Sequence, residues 1–281
     1  MLRINAAYTI VLFVWIGLGI SFACSSESKN SQQYMPEEND PKDLPEKQTL
    51  KAAQPMIDTS IQLDYLMGKF DQSKHPDFVK IGSPYTENSG MYLRKEAYED
   101  FKKMYTAAKA DGVTLLIRSA TRNFDRQKVI WEGKWTGRRK LEGGIDAPKT
   151  FPKPVERAKE ILKWSSMPGS SRHHWGTDID INAFVNSYFE KGKGKKEYDW
   201  LKKNAVNYGF CQPYTAKGVE RPYGYNEEKW HWSYQPLSQP FTKQCELRLK
   251  DEMINGFLGA EVAKEIGIVE KYVLGINKAC R

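Results

Sequence analysis

The chain has 281 residues, a formal charge of +8 and 12% aromatic residues. Eight tryptophans and fifteen tyrosines supply a packable core, which excludes wholesale disorder, and four cysteines are too few for a disulfide scaffold. The length accommodates one catalytic-sized domain with appendages, and so modest a positive balance describes a solvated basic surface; no nucleic-acid partner is expected.

Arg3 is the one charged residue before Cys24, and residues 6–23 form an apolar run closing in Ser21-Phe22-Ala23-Cys24. A basic start, an apolar stretch and small residues before a cut describe an export signal. The cysteine stands where a bacterial lipoprotein carries its lipidated first residue, although Ser21 replaces the usual leucine. The alternative is an uncleaved anchor, for which the run is at the short end of the ~17–25 residues a spanning helix needs. Either way the remainder is expected outside the cytoplasm. The expectation is a cell-envelope protein held at a membrane by a lipid on Cys24 and facing the periplasm or the outer surface.

Residues 25–54 hold six acidic and four basic side chains and almost nothing apolar, so they read as a disordered tether. A flexible coil of that length spans roughly 30 Å. The body, 55–281, carries the positive charge, a sign that weakly suits anionic cell-wall polymers.

Within the body, apolar spacing predicts a helix over 92–110, stopped by Asp111-Gly112, and a short buried strand over 113–117. Helices are expected over 123–135 and 155–164, with Pro154 in a first turn. A strand fragment comes next at 179–182, then a helix at 195–208 ended by Gly209, and a strand at 230–234. From Phe241 onward two C-terminal helices are expected, broken at Asn255-Gly256. Helices and short strands without βαβ alternation indicate an α+β fold, a small mostly antiparallel sheet flanked by helices. Its expected divisions are a main domain over 55–236 and a C-terminal helical extension, 237–281, packed on it. Cys211, Cys245 and Cys280 allow three pairings with one thiol left over, and the sequence chooses none.

Of four histidines, His75 sits alone before Pro76 and reads as structural or surface. The others fall in two clusters, Ser171-Arg-His173-His174-Trp-Gly176-Thr-Asp178-Ile-Asp180 and Glu228-Lys-Trp230-His231-Trp-Ser-Tyr234. A catalytic zinc needs three protein ligands and one open position. Two histidines from separate segments plus one aspartate meet that count, and Glu228 is a carboxylate free to take a proton. Alternation along 178–181 puts both aspartates on one strand face, and Gly176 permits the turn before them. Each cluster alone is also compatible with satisfied structural groups.

At these residues the chain resembles the zinc D-alanyl-D-alanine carboxypeptidase family of the VanY type. The family pattern is Ser-x-His-x-x-Gly-x-Ala-x-Asp, then Glu-x-Trp-His-x-x-Tyr. Ser171, His173, Gly176 and Asp180 match the first part, and Glu228, Trp230, His231 and Tyr234 the second. The resemblance implies zinc held by His173, Asp180 and His231, with Glu228 as general base, and makes 55–236 a zinc peptidase domain. Asp178 replaces the family's alanine and is expected behind the ligands, which leaves His174 as an alternative ligand. Upstream, Arg122 and Gln127 are similar to the family's Ser-x-x-Arg-x-x-x-x-Gln segment, which implies that they hold the substrate's terminal carboxylate. Ser171 would help to orient the terminal residue. Pro213 replaces a family arginine before Tyr214. Trp175, Trp230 and Trp232 are placed in the walls of the site or in the core.

The implied activity is removal of the terminal D-alanine from the peptidoglycan stem peptide. The alternatives are an L,D-carboxypeptidase or endopeptidase on the same material, or a non-catalytic wall-binding lipoprotein.

Overall fold

The computed structural model describes residues 57–281; the predicted signal segment with Cys24 and the tether at 25–54 lie outside the described residues. The helices are α1 (Leu63–Leu66), α2 (Lys95–Ala110), α3 (Phe124–Trp135), α4 (Ala147–Thr150), α5 (Pro154–Ile161), α6 (Gly192–Asn204), α7 (Gln235–Arg248) and α8 (Ala263–Ile266). The strands are β1 (Phe78–Lys80), β2 (Tyr92–Arg94), β3 (Ile117–Ser119), β4 (Asp178–Ile181), β5 (Phe210–Cys211) and β6 (His231–Tyr234). β1 and β2 form a hairpin, and the other four make an antiparallel sheet in the order β3-β4-β6-β5. This is the α+β architecture expected. Among the described residues no helix is long and apolar enough to cross a membrane.

Local sequence explains most boundaries. The predicted helix over 92–110 gives its first residues to β2, because Tyr92–Arg94 pairs with Phe78–Lys80. The helix then buries Tyr98, Phe101, Met104 and Ala108 along one stripe. It ends in a Schellman turn: Gly112 takes φ +72°, its N–H reaches Lys109 O, and Val113 N–H reaches Ala108 O at 2.8 Å. The N-cap of α3 is Asn123, whose side chain accepts from Arg126 N–H at 2.9 Å.

Two expectations shift. Strand pairing begins at Ile117, not at Val113. Asn182, at φ +63°, uses its side chain to accept from Leu116 N–H at 2.7 Å and to donate to Thr114 O at 2.8 Å. The 113–116 backbone is thereby satisfied in part by a side chain in place of a ladder. The C-terminal region forms α7 as expected, but beyond Arg248 the chain runs through a series of short turns with only four residues of α-helix in α8. Glycines at positive φ, Gly256, Gly259 and Gly267, interrupt it.

The apolar side chains form two clusters. One packs α2 and α6 against the sheet through Ile117, Ile179, Ile181, Phe210, Trp232 and Tyr234. The other joins α3 and α5 to the C-terminal region through Trp131, Ile161, Phe241, Leu249, Phe257 and Ile276. Cys211 is disulfide-bonded to Cys280, which pins the chain end to β5, and Cys245 is a buried free thiol.

Candidate active site

Antiparallel pairing of β4 with β6 sets Asp180 opposite His231 and Asp178 opposite Ser233. Directly opposed residues share a sheet face, so these four side chains lie together while Ile179 and Trp232 enter the core behind them. His173 arrives from the short helical turn Arg172–Trp175, which closes at Gly176 with φ +71°. A Cβ at Gly176 would stand 2.3 Å from the Phe78 ring, so both conformation and space demand glycine.

His173 Nε2 lies 3.3 Å from Asp180 Oδ2, and His231 Nδ1 lies 3.2 Å from Asp180 Oδ1 and 3.3 Å from Glu228 Oε2. Each imidazole has its far nitrogen fixed by an acceptor. His173 Nδ1–H donates to Ala120 O at 2.8 Å, and His231 Nε2–H donates to Asp178 Oδ2 at 2.8 Å. The near nitrogens are thereby left for a ligand. His173, Asp180 and His231 offer ligand atoms all within 4.8 Å of one another, which makes them a possible metal site. Two imidazoles and a carboxylate, backed by acceptors that set the tautomers, fit the donor set of a catalytic zinc centre.

Charge at the site follows from burial. Burial disfavours a charged His231, yet Asp178, Asp180 and Glu228 around it raise its pKa well above the ordinary value. Burial and the nearby Arg122 push His173 down. Burial also pushes the Glu228 carboxyl up, against the pull of His231, which brings it toward the range useful to a base at neutral pH.

Asp178 accepts from Thr177 Oγ, Ser233 Oγ, His231 Nε2 and Arg172 Nε, the last at 3.1 Å. Burial alone would raise its pKa, but Arg172 and His231 outweigh that and hold the carboxyl far below the usual range. Arg172 continues the network to Thr242 Oγ1 on α7 at 2.9 Å and lies over the Trp175 ring. Sequence reasoning missed Arg172, since nothing in its spacing tells a buried arginine from a surface one.

His174 is turned away from the metal site. Its Nε2 accepts from Gly169 N–H at 3.0 Å and its Nδ1–H donates to Arg122 O at 2.6 Å. It holds the Arg122 backbone in place and is not a ligand.

The site opens into a cavity of about 390 Å³ whose walls include Arg122, Gln127, Ser171 and Glu228. Arg122 Nε, Gln127 Oε1 and Ser171 Oγ are buried without a protein partner. Such atoms are costly unless something else satisfies them. One Nε2–H of Gln127 donates to Ser166 O at 2.8 Å, and its Oε1 is an acceptor open to a bound group.

Tyr214 covers His231 with ring centroids 4.6 Å apart and stays a phenol, because burial pushes its pKa well up. Trp230 lines the cavity, tilted against Trp164 with ring centroids 5.8 Å apart, whereas Trp175 and Trp232 lie in the apolar clusters. Lys134, Arg139, Trp164 and Tyr225 also line the cavity, and no motif announced them.

The family model for VanY, D-alanyl-D-alanine carboxypeptidase, matches residues 90–237, more than half of the chain. The chain belongs to the VanY family. The match takes in every proposed ligand, Glu228 and the Arg122–Gln127 segment of the VanY pattern. Among curated relatives, the carboxypeptidase-named YodJ of Bacillus subtilis is 33% identical over 145 residues, 51% of this chain and 46% of the relative. A D-alanyl-D-alanine carboxypeptidase of Enterococcus faecalis is 30% identical over 132 residues, 47% of this chain and 44% of the relative. The chain thus spans about half the length of these relatives. A solved vancomycin-resistance D,D-pentapeptidase in complex with Zn(II) is 24% identical, with a TM-score of 0.42, over 58% of this chain and 88% of the other.

Proposed function

We propose that the protein is a zinc-dependent D-alanyl-D-alanine carboxypeptidase acting on peptidoglycan stem peptides. The observation that carries this reading is the convergence of His173 Nε2, His231 Nδ1 and Asp180 beside Glu228, a carboxylate left over from that set, at the end of an arginine-lined cavity. His173, Asp180 and His231 would hold the zinc. When bound, zinc polarises a carbonyl oxygen and lowers the pKa of an attacking water toward about 7.

The remaining work falls to the chain. Glu228 takes the proton of the attacking water on its carboxylate and passes it to the departing amine of the terminal D-alanine. Arg122 binds the substrate's free carboxylate through its planar guanidinium, the feature that separates a carboxypeptidase from an endopeptidase. Gln127 Oε1 accepts an N–H of the bound peptide, and Ser171 Oγ orients the terminal residue. Tyr214 and Trp230 exclude water from the reacting bond.

The export signal and Cys24 support a location in the cell envelope, with a lipid on Cys24 tethering the enzyme to a membrane within reach of its substrate.

Digestion of purified stem pentapeptide and tetrapeptide, with and without a chelator, tests the reading. Release of one D-alanine from the pentapeptide, abolished by chelator and restored by zinc, is expected. Cleavage of the tetrapeptide alone would favour an L,D-carboxypeptidase. Neither peptide being cleaved by zinc-loaded protein would favour a wall-binding protein.

A further inference from the structure

The cavity holds more positive charge than a single terminal carboxylate requires. Arg122, Lys134 and Arg139 all line it, and none has a carboxylate within ion-pair distance among the described residues. The acidic residues on its walls are Asp180 and Glu228, both engaged with His231 at the metal end. In the adjoining groove Arg118 is paired with Glu87 at 2.8 Å.

Lys134 projects from the last turn of α3. Its ammonium donates to Ser165 Oγ at 2.6 Å, and its remaining N–H donors find no acceptor among the described residues. The Arg139 side chain lies across Gly133, where a Cβ would stand 2.9 Å from Arg139 Cδ, so the helix is bare where the arginine crosses it. Arg139 also lines an adjoining groove of about 700 Å³ together with Arg126, which extends the basic wall outward. Opposed only in part by Glu228, burial pushes the Lys134 ammonium down, and Arg122 and Arg139 push the same way. An anion delivered there would relieve both.

Stem peptides come in two chemical forms at their diamino acid. In one the side chain ends in a bare ammonium. In the other the same terminus carries a carboxylate as well. A wall of unpaired cations repels the first and pairs with the second.

We infer that Lys134, backed by Arg139, forms a second carboxylate subsite that selects stem peptides whose diamino acid bears a free side-chain carboxylate over those ending in a bare ammonium. The inference rests on the carboxypeptidase reading for its choice of ligand, and deepens it.

The test is equilibrium binding, read by calorimetry on full-length Glu228→Gln protein so that peptides survive intact. Three pentapeptide stems are compared: diaminopimelate at the third position, the same residue with its side-chain carboxylate amidated, and lysine. A hydrogen-bonded charge pair supports a preference of about 10- to 100-fold for the free carboxylate over the other two. Lys134→Met, which keeps length and apolar stem, should bring that ratio toward one without loss of zinc. Arg139→Gln, at an exposed position, should lower it partially. Equal binding of the three stems, binding of none, or a preference surviving both substitutions overturns the inference. A preference that persists in binding while zinc-loaded unmodified chain cleaves no stem would instead count against the carboxypeptidase reading.

Discussion

Asp178 shows how one residue departs from a family pattern without breaking a site. Where the family has alanine, this chain has a buried carboxylate, and its four hydrogen bonds include one from the buried Arg172 and one from His231. Asp178→Asn should leave Arg172 uncompensated, at a cost of about 3–5 kcal/mol visible in urea unfolding. It should also weaken zinc binding by about 10- to 100-fold, because the acceptor that orients His231 loses its negative charge. At Arg122, lysine keeps the charge and loses the fork. Arg122→Lys is expected to lower turnover by about 10- to 100-fold with zinc retained. Equal kinetics for the two proteins would remove Arg122 from the site. The pH dependence has a definite sign. His231 has a raised pKa, so protons compete with zinc for the nitrogen a metal needs more strongly than at an ordinary histidine. Zinc affinity should therefore fall as pH falls, with proton release on binding, and calorimetry in buffers of different ionisation enthalpy measures it.

At the scale of elements, the ligands were legible because strand alternation is a short-range rule and the two motifs resemble the family pattern, whereas the register that sets Asp180 opposite His231 came only with the fold. Asp178-Ile179-Asp180-Ile181 has one arrangement that buries both isoleucines, and it presents both aspartates to the partner strand. The Gly176 turn was legible for the same reason. Gly176→Ala must adopt a left-handed backbone and push into Phe78, at about 2–5 kcal/mol, and the urea midpoint should fall accordingly. What the sequence concealed were long-range substitutions of one partner for another. The 113–116 segment is apolar like a strand, yet Asn182 satisfies part of its backbone. The cavity residues Lys134, Arg139 and Tyr225 reach the site only through tertiary packing of α3, the loop after it and the loop before β6, so no local spacing marks them.

At the scale of the whole molecule, the C-terminal region is part of the core. Phe241, Leu249, Phe257 and Ile276 pack with Trp131 of α3, Thr242 bonds Arg172 behind the site, and Cys280 is bonded to Cys211. The disulfide closes a loop with a sequence separation of 69, which on the chain-entropy view stabilises by about 4 kcal/mol. Cys211→Ser with Cys280→Ser should lower the unfolding free energy on that scale, and an unchanged urea midpoint would contradict it. The proposed lipid anchor is tested at Cys24→Ser, which should abolish metabolic labelling by fatty acid. The central claim is that three residues hold the metal while a fourth moves the proton. The most direct measurement is zinc content together with kcat for Glu228→Gln. Zinc at the unmodified level with kcat lowered by at least about 10²–10⁴-fold is the predicted result. Loss of zinc in that variant, or near-normal turnover with zinc retained, would contradict the account.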